Sequence, residues 1–298
     1  MADIHLIDGE KGGVGKSLFA RLLLHYWLTQ LTDVPKPVLF DTDASRKDVE
    51  RFYGSHVDCG DVRFSDDDEK LVVADEIFQT ALLGQSVVVN LGASVYEVVR
   101  DWIVSNGLIE LGKIAGDTKA RQNSPIFQAL VERKSMAADP NASSKAATPK
   151  VEGVRFFKWF VCSGQQDSLA PFHQSLEEIG DQMPHILVEN RFLYDDQQWE
   201  AIEAELAPKL KEYNVKSIYI PKLLKTDLKM VLEGGLTWAE AIKARSLSLM
   251  ARQRLFMFCE TANAQIAEAF TNLDATTNSK SNTKKTGTKQ TVSANGKK

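Results

Sequence analysis

The segment Lys11-Gly12-Gly13-Val14-Gly15-Lys16-Ser17 decides the fold of this chain. It follows a short apolar run at residues 4–7 and precedes residues 18–31, where apolar side chains recur at helical spacing. In a strand, glycine-rich loop and helix of this kind, backbone N–H groups converge on phosphate oxygens and the helix start adds its positive end. The sequence therefore predicts a nucleotide-binding loop after the first strand.

Each residue type in this loop has a chemical task. Lys16 is expected to bridge the β and γ phosphates, and the Ser17 hydroxyl is expected to ligate Mg²⁺. We predict that the nucleotide is bound by Gly12, Gly13, Val14, Gly15, Lys16, Ser17 and Leu18.

The loop departs at one position from the common pattern G-x-x-x-x-G-K-[ST], which requires glycine where this chain has Glu10. A second lysine, Lys11, stands beside it. The run K-G-G-x-G-K-[ST] resembles the deviant Walker A motif of the ParA/MinD class of ATPases. This resemblance implies that ATP is the ligand. It also implies that Lys11 reaches the phosphates of the other subunit in a nucleotide-sandwich homodimer, so that ATP favours dimerisation.

A second match, Asp41-Thr42-Asp43, follows the apolar run at residues 38–40. It is similar to the D-x-D segment of the same class. The resemblance places Asp41 near Mg²⁺ and implies that Asp43 orients the attacking water, which makes Lys11, Lys16 and Asp43 the predicted catalytic residues. A loop of capping aspartates is the alternative interpretation.

The third match carries a substitution. A Walker B strand ends in an aspartate that holds Mg²⁺ through a water molecule, whereas the apolar run at residues 86–89 ends in Asn90. An amide supplies no negative charge, although its oxygen accepts a hydrogen bond from a metal-bound water. We therefore predict Ser17, Asp41 and Asn90 as the metal-binding residues, with nucleotide binding retained and hydrolysis slowed.

Further short stretches narrow the resemblance. The chain also looks like the TraL-type ATPases of conjugative plasmid transfer in several short stretches. These are Ile4-His5-Leu6, residues 88–94, and the late segment at 220–221 and 235–241. This resemblance covers roughly residues 3–115 and 154–245, and it implies a role in plasmid transfer or DNA partition. It assigns Asn190 to the adenine edge and Pro221 to the segment beside the base. For Asn190, capping of a turn is an equally simple interpretation.

The rest of the chain fits one doubly wound α/β domain. Further apolar runs at 156–162, 186–189 and 217–220 alternate with helical patterns, which predicts a mostly parallel sheet with helices on both faces. We predict a domain over residues 1–270 with a mobile polar insertion at 116–152, including a helix at 125–136. Residues 271–298 contain six lysines and one aspartate and are predicted to form a disordered basic tail.

Composition excludes several classes of protein. The 298 residues include 43% apolar residues and carry a net charge of −4, and no apolar run reaches the length of a membrane span. Three widely spaced cysteines indicate reduced thiols rather than a disulfide framework. We therefore expect a cytoplasmic protein without a membrane association.

Function and partners remain open between alternatives at this level. A slow ATPase that dimerises with ATP is the first interpretation, and an ATP-binding scaffold without turnover is the second. A reductase with an iron–sulfur cluster has little support from the sparse cysteines. The protein partner is unknown. Nonspecific DNA binding and ordinary solvated helix charges both account for Lys222, Lys225, Lys229, Arg245, Arg252 and Arg254.

Overall fold

A computed structural model describes residues 1–43, 47–65, 67–128, 151–192 and 196–283, without the side chains of 68–70 and 274–283. Its seven strands are β1 (Ala2–Asp8), β2 (Val38–Asp41), β3 (Cys59–Gly60), β4 (Val87–Asn90), β5 (Val154–Cys162), β6 (His185–Asn190) and β7 (Lys216–Ile220). They form one sheet in the order β3-β2-β4-β1-β5-β6-β7, and all pairs are parallel.

Eleven helices connect or flank the strands in the described residues, besides a short helical stretch at 125–128. They are α1 (Lys16–Gln30), α2 (Glu50–Tyr53), α3 (Asp68–Leu82), α4 (Tyr96–Ser105), α5 (Leu108–Gly116), α6 (Thr118–Asn123), α7 (Gln166–Ile179), α8 (Asp196–Glu212), α9 (Lys225–Glu233), α10 (Trp238–Lys243) and α11 (Leu249–Thr283). The predicted doubly wound α/β fold is confirmed.

Successive residues of β5 show why the sheet is covered on both faces. Phe157, Trp159 and Val161 pack into one core with α1, α10 and α11. Phe156 and Phe160 point to the opposite side, toward the cores built with α3 to α5 and with α7 and α8. Because both faces of β5 are buried, its sequence is mostly apolar rather than alternating.

The long helix α11 packs onto the domain. Leu255, Phe258 and Ile266 lie in the core beside α1. The helix continues beyond residue 270, where we predicted that the tail begins, to Thr283, and Leu273 is buried. The rest of the predicted tail, 284–298, lies outside the described residues.

The predicted insertion is described only at its two ends. Helix α6 lies within it, and Arg121 donates to the carbonyl of Val151 at 2.7 Å, which brings the two ends together. The predicted helix at 125–136 is described as helical at 125–128, and 129–150 lie outside the described residues. Across the described part of the chain, no helix has the length and apolarity needed to span a membrane.

Candidate functional site

The predicted phosphate-binding loop lies between β1 and α1, at the carboxyl edge of the sheet. Gly15 precedes the first helical residue with φ +109°, a conformation that L side chains rarely adopt. A Cβ atom at this position would also collide with the side-chain amide of Asn190. Gly12 and Gly13 are exposed, and nothing lies within 4 Å of a Cβ built on either. The loop therefore presents its backbone to an incoming group.

The two lysines of the loop have opposite environments. Lys16 is 8% exposed, and its Nζ donates to the carbonyls of Gly9 at 2.6 Å and Lys11 at 3.2 Å. Burial lowers the pKa of Lys16, and the negative charges of Asp8, Glu10 and Asp43 oppose that shift. The Lys11 side chain is 43% exposed. Lys16 is thus held inside the loop, whereas Lys11 is on its surface.

The Lys11 ammonium is bound within its own chain. It donates to Gln165 Oε1 at 3.1 Å and to Asp167, at the start of α7. This contact was not predicted from the sequence, because its partners lie more than 150 residues away. The Asp167 side chain is 56% exposed. An ion pair this accessible to water contributes at most about 1 kcal/mol, so it is readily exchanged for another partner.

The predicted metal-binding residues converge at the ends of β2, β4 and the loop. Asp41 and Asn90 are adjacent in the sheet register, and Asn90 Nδ2 donates to Asp41 Oδ1 at 2.8 Å and to Ser17 Oγ at 3.3 Å. The other Asp41 oxygen accepts the backbone N–H groups of Val49 at 2.8 Å and Glu50 at 3.1 Å. Burial raises the pKa of Asp41, and these hydrogen bonds oppose that shift.

This cluster fits a hard divalent cation in its donor types. Ser17, Asp41 and Asn90 all carry oxygen atoms, which Mg²⁺ prefers. Asn90 is 1% exposed, and its Oδ1 atom is buried with no hydrogen-bond partner among the residues that the structure describes. A buried acceptor left unsatisfied is costly, and a water or cation at this point would satisfy it. No group of three or more His, Cys, Asp or Glu side chains is arranged to hold a metal within the described ranges.

The remaining predicted residues occupy the same edge. Asp43 is half-buried and close enough to Lys16 to influence its pKa. Asn190 donates from Nδ2 to the carbonyl of Val14 at 2.6 Å, and its Oδ1 accepts from Phe192 N–H at 3.1 Å. Both ends of this amide are used in holding the loop and its own turn. Its assignment to adenine therefore stays a prediction, as does that of half-buried Pro221 beside the base.

Glu10, the residue that breaks the common loop pattern, ties the loop to the segment after β4. Its carboxylate accepts Tyr96 N–H at 3.3 Å, and its backbone carbonyl accepts Ser94 N–H at 3.1 Å. Burial raises the pKa of Glu10, and the negative charge of Asp8 adds to the shift. Sequence comparison with a motif marks this position as a departure, but it does not indicate the partner.

A buried ion pair at the base of the loop was also missed. Lys158 Nζ lies 2.8 Å from Asp8 Oδ2, and both side chains are 1% exposed. Gly9 N–H donates to the other Asp8 oxygen at 2.6 Å. Burial opposes ionisation of Asp8, but Lys158 and this amide together lower its pKa. A lysine inside the apolar run Phe156-Phe157-Lys158-Trp159-Phe160 is the one sequence signal of this pair.

Three of the six basic residues considered for DNA binding are paired with carboxylates. Arg254 binds Asp227 through two bonds of 2.6 and 2.9 Å, Lys222 lies 3.3 Å from Asp196, and Lys229 lies 3.6 Å from Glu233. These pairs reduce the net positive charge of the surface.

Two of the three free cysteines, Cys162 and Cys259, are buried in different cores.

Comparison with known proteins adds a distant structural likeness. No protein-family model matches the chain, and no curated protein matches it. A solved ATP complex of a variant of McdA from Cyanothece is similar at 15% identity, covering 88% of this chain and 96% of that chain, with a TM-score of 0.39. Similarity this low does not bear on the site or its chemistry.

Proposed function

We propose that this protein is an ATP-binding, slowly hydrolysing dimerisation switch of the ParA/MinD class. The observation that carries the proposal is the contrast between the two loop lysines. Lys16 is buried beneath its own loop, whereas Lys11 is on the surface beside the exposed glycines Gly12 and Gly13. This contrast supports a role for Lys16 with the phosphates of its own subunit. It also supports a role for Lys11 with those of a second subunit, for which Lys11 would exchange its weak surface partner.

Ser17, Asp41 and Asn90 are the residues that would hold Mg²⁺. When bound, the cation neutralises charge on the phosphate oxygens and orients them. Asp41 supplies the one carboxylate of this set, because Asn90 stands where a second would be expected. A site with less negative charge binds the cation more weakly, which supports a slow rather than a fast hydrolysis.

The other proposed roles follow from position. Asp43 would orient the attacking water, which forms a bond to the γ phosphorus as the bond to the ADP oxygen breaks. Lys16, and Lys11 from the second subunit, would stabilise the negative charge on the transferring group. Hydrolysis would remove the group that bridges the subunits and so reset the dimer.

The ligand and process are taken from family resemblance. ATP, with Asn190 and Pro221 beside the base, is the proposed nucleotide, and conjugative plasmid transfer or DNA partition is the proposed setting. An unidentified protein partner or nonspecific DNA would bind the dimer.

A second function is favoured by one observation. Asn90 Nδ2 donates a hydrogen bond to Asp41 Oδ1, so the amide at the Walker B position occupies one carboxylate oxygen and adds no negative charge. A protein that uses ATP only as a structural ligand, and recruits a partner without turnover, is consistent with this arrangement.

Lys16→Ala and Lys11→Ala test these proposals. Lys16→Ala is expected to weaken nucleotide binding, measured with a fluorescent ATP analogue, because it removes the buried cation of the loop. Lys11→Ala is expected to leave that binding within about threefold and to abolish the ATP-dependent dimer. Dimers that persist in Lys11→Ala would contradict the role of Lys11. If the unmodified protein releases phosphate no faster than Lys16→Ala, the result would favour the scaffold without turnover.

A further inference from the structure

A cleft of about 320 Å³ opens beside the nucleotide loop, between α1, α2 and α9. It shares Ser17 with the proposed metal site and Leu18 with the predicted nucleotide-binding loop, and its other six lining residues belong to neither. Leu18, Phe52, Leu228 and Leu232 form apolar walls. The volume lies at the lower end of the range for small-molecule pockets, which are typically about 300–1,000 Å³.

The charged residues of the cleft have a positive balance. Arg21 and Arg51 line it together with a single carboxylate, Asp48. Arg51 is exposed and makes no ion pair with any described residue; its guanidinium lies 5.4 Å from the Phe52 ring centre. A cleft lined by two arginines and several aliphatic side chains favours the binding of an anion that also has an apolar part.

Arg21 gives the strongest indication of a missing partner. It is 3% exposed, with its guanidinium 3.9 Å from the Phe52 ring centre and 4.7 Å from that of Trp238. Within the described part of the chain, its one hydrogen bond runs from Nη2 to the carbonyl of Leu236 at 3.2 Å. No described carboxylate lies within ion-pair distance of it, although the negative charge of Asp48 opposes the lowering of its pKa.

A buried arginine without an anionic partner is unusual, because removing a charge from water is costly unless it is paired. Burial lowers the pKa of Arg21 to about 10, so the side chain is still a cation at neutral pH. The two aromatic rings compensate part of the lost hydration through cation–π contacts. The arginine fork has five donors, so an anion in the cleft would complete its hydrogen bonding.

We propose that this cleft binds a small organic anion, with its carboxylate or phosphate on Arg21 and Arg51 and its apolar body against Leu228 and Leu232. The site adjoins the proposed nucleotide site at Ser17 and Leu18, and it goes beyond the proposed switch function. Because it abuts Ser17 and the first turns of α1, its occupant would lie next to the bound nucleotide.

The test uses the full chain with saturating ADP and Mg²⁺, so that a probe cannot occupy the phosphate loop. The probe is 4-phenylbutyrate, and its matched neutral control is 4-phenylbutyramide, both measured by isothermal titration calorimetry. We expect the carboxylate to bind at least about tenfold more tightly than the amide, since a hydrogen bond to a charged group is worth more than one between neutral groups.

Two variants of exposed residues separate the site from general charge effects. Arg51→Gln is expected to weaken binding of the carboxylate about fivefold or more, and Leu232→Glu about tenfold or more, because it adds a repelling charge to the wall. Arg63→Gln removes the same charge at an exposed position outside the cleft and should leave the affinity unchanged. Both Arg51 and Leu232 are exposed, so the variants are expected to fold.

Three results would overturn the proposal. The first is equal affinity for the acid and the amide. The second is an equal loss of affinity in Arg63→Gln and Arg51→Gln. The third is binding that is seen without nucleotide and disappears with ADP, because the probe would then have occupied the phosphate loop.

Discussion

Asn90→Asp puts an aspartate at the end of β4, and the structure predicts that it destabilises the protein. Asn90 Nδ2 donates to Asp41 Oδ1 at 2.8 Å, and both residues are 1% exposed. An aspartate at position 90 would bring two carboxylate oxygens to this separation in a site with little water. Like charges this close cannot both be ionised without a large cost.

The size of the effect follows from that distance. At 2.8 Å and an effective dielectric constant of about 20, two unit charges repel by about 6 kcal/mol. Protonation of one carboxyl limits the loss, because it costs about 1.36 kcal/mol per pH unit above the ordinary pKa of about 3.9. The expected decrease in the free energy of unfolding is therefore about 4 kcal/mol at pH 7.

The sign of the pH dependence is fixed by the same reasoning. The second carboxyl has a raised pKa in the folded protein, so the unfolded chain binds fewer protons across the interval between the two values. The penalty is absent below about pH 4, where both states are protonated, and it grows with pH until the folded pKa is passed. The free energy of unfolding of Asn90→Asp should thus be close to that of wild type in acid and clearly lower at neutral pH.

Urea unfolding between about pH 4.5 and 7.5, without nucleotide or Mg²⁺, measures this difference. The matched control is the exchange Asp41→Asn/Asn90→Asp, which keeps one carboxylate and one amide in contact. It should lie within about 1 kcal/mol of wild type, without the extra pH slope, because the hydrogen bond is preserved in reverse. An Asn90→Asp variant as stable as wild type at pH 7, with the same pH slope, would refute the contact between these side chains.

Two further predictions concern the ion pairs around the loop. Lys158→Met leaves the Asp8 carboxylate buried and unpaired, so we expect the free energy of unfolding to fall by about 3–5 kcal/mol at neutral pH. The double variant Asp8→Asn/Lys158→Met should recover most of this loss. Equal losses for the two variants in denaturant unfolding would contradict this expectation. In wild type, the lowered pKa of Asp8 provides stability that is complete above the unfolded pKa of about 3.9 and is lost as the pH falls through the folded value. Asp167→Asn weakens the surface contact of Lys11, so half-maximal dimerisation should need about two- to fivefold less ATP in light scattering; a need for more ATP would show that Asp167 assists the dimer.

Local patterns explain which parts could be predicted from the sequence. The loop, α1 and six of the seven strands are encoded in contiguous runs, namely a glycine motif, a helical apolar repeat and mostly apolar stretches of three to seven residues. The convergence of Asp41 and Asn90 followed from parallel strands ending at one edge. Strand β3 has two residues and helix α2 four, which is too short for any periodicity to be seen.

The contacts that were missed join residues distant in the chain. Lys158 contacts Asp8, Glu10 contacts Tyr96, and Asp167 contacts Lys11. Each pair depends on how β1, α4, β5 and α7 are placed around the sheet, which no local pattern specifies. The orientations of the side chains also could not be predicted from the sequence. In particular, the sequence does not indicate that the Asn90 amide would donate to Asp41 rather than face a cation.

In the proposed switch, ATP and not ADP brings two copies of this chain together. Light scattering of the purified full chain gives the molar mass without nucleotide, with ADP and Mg²⁺, and with ATP and Mg²⁺. We expect the monomer mass of 33.1 kDa in the first two conditions and twice that mass with ATP. An unchanged mass in all three conditions, in a protein that binds ATP, would contradict it.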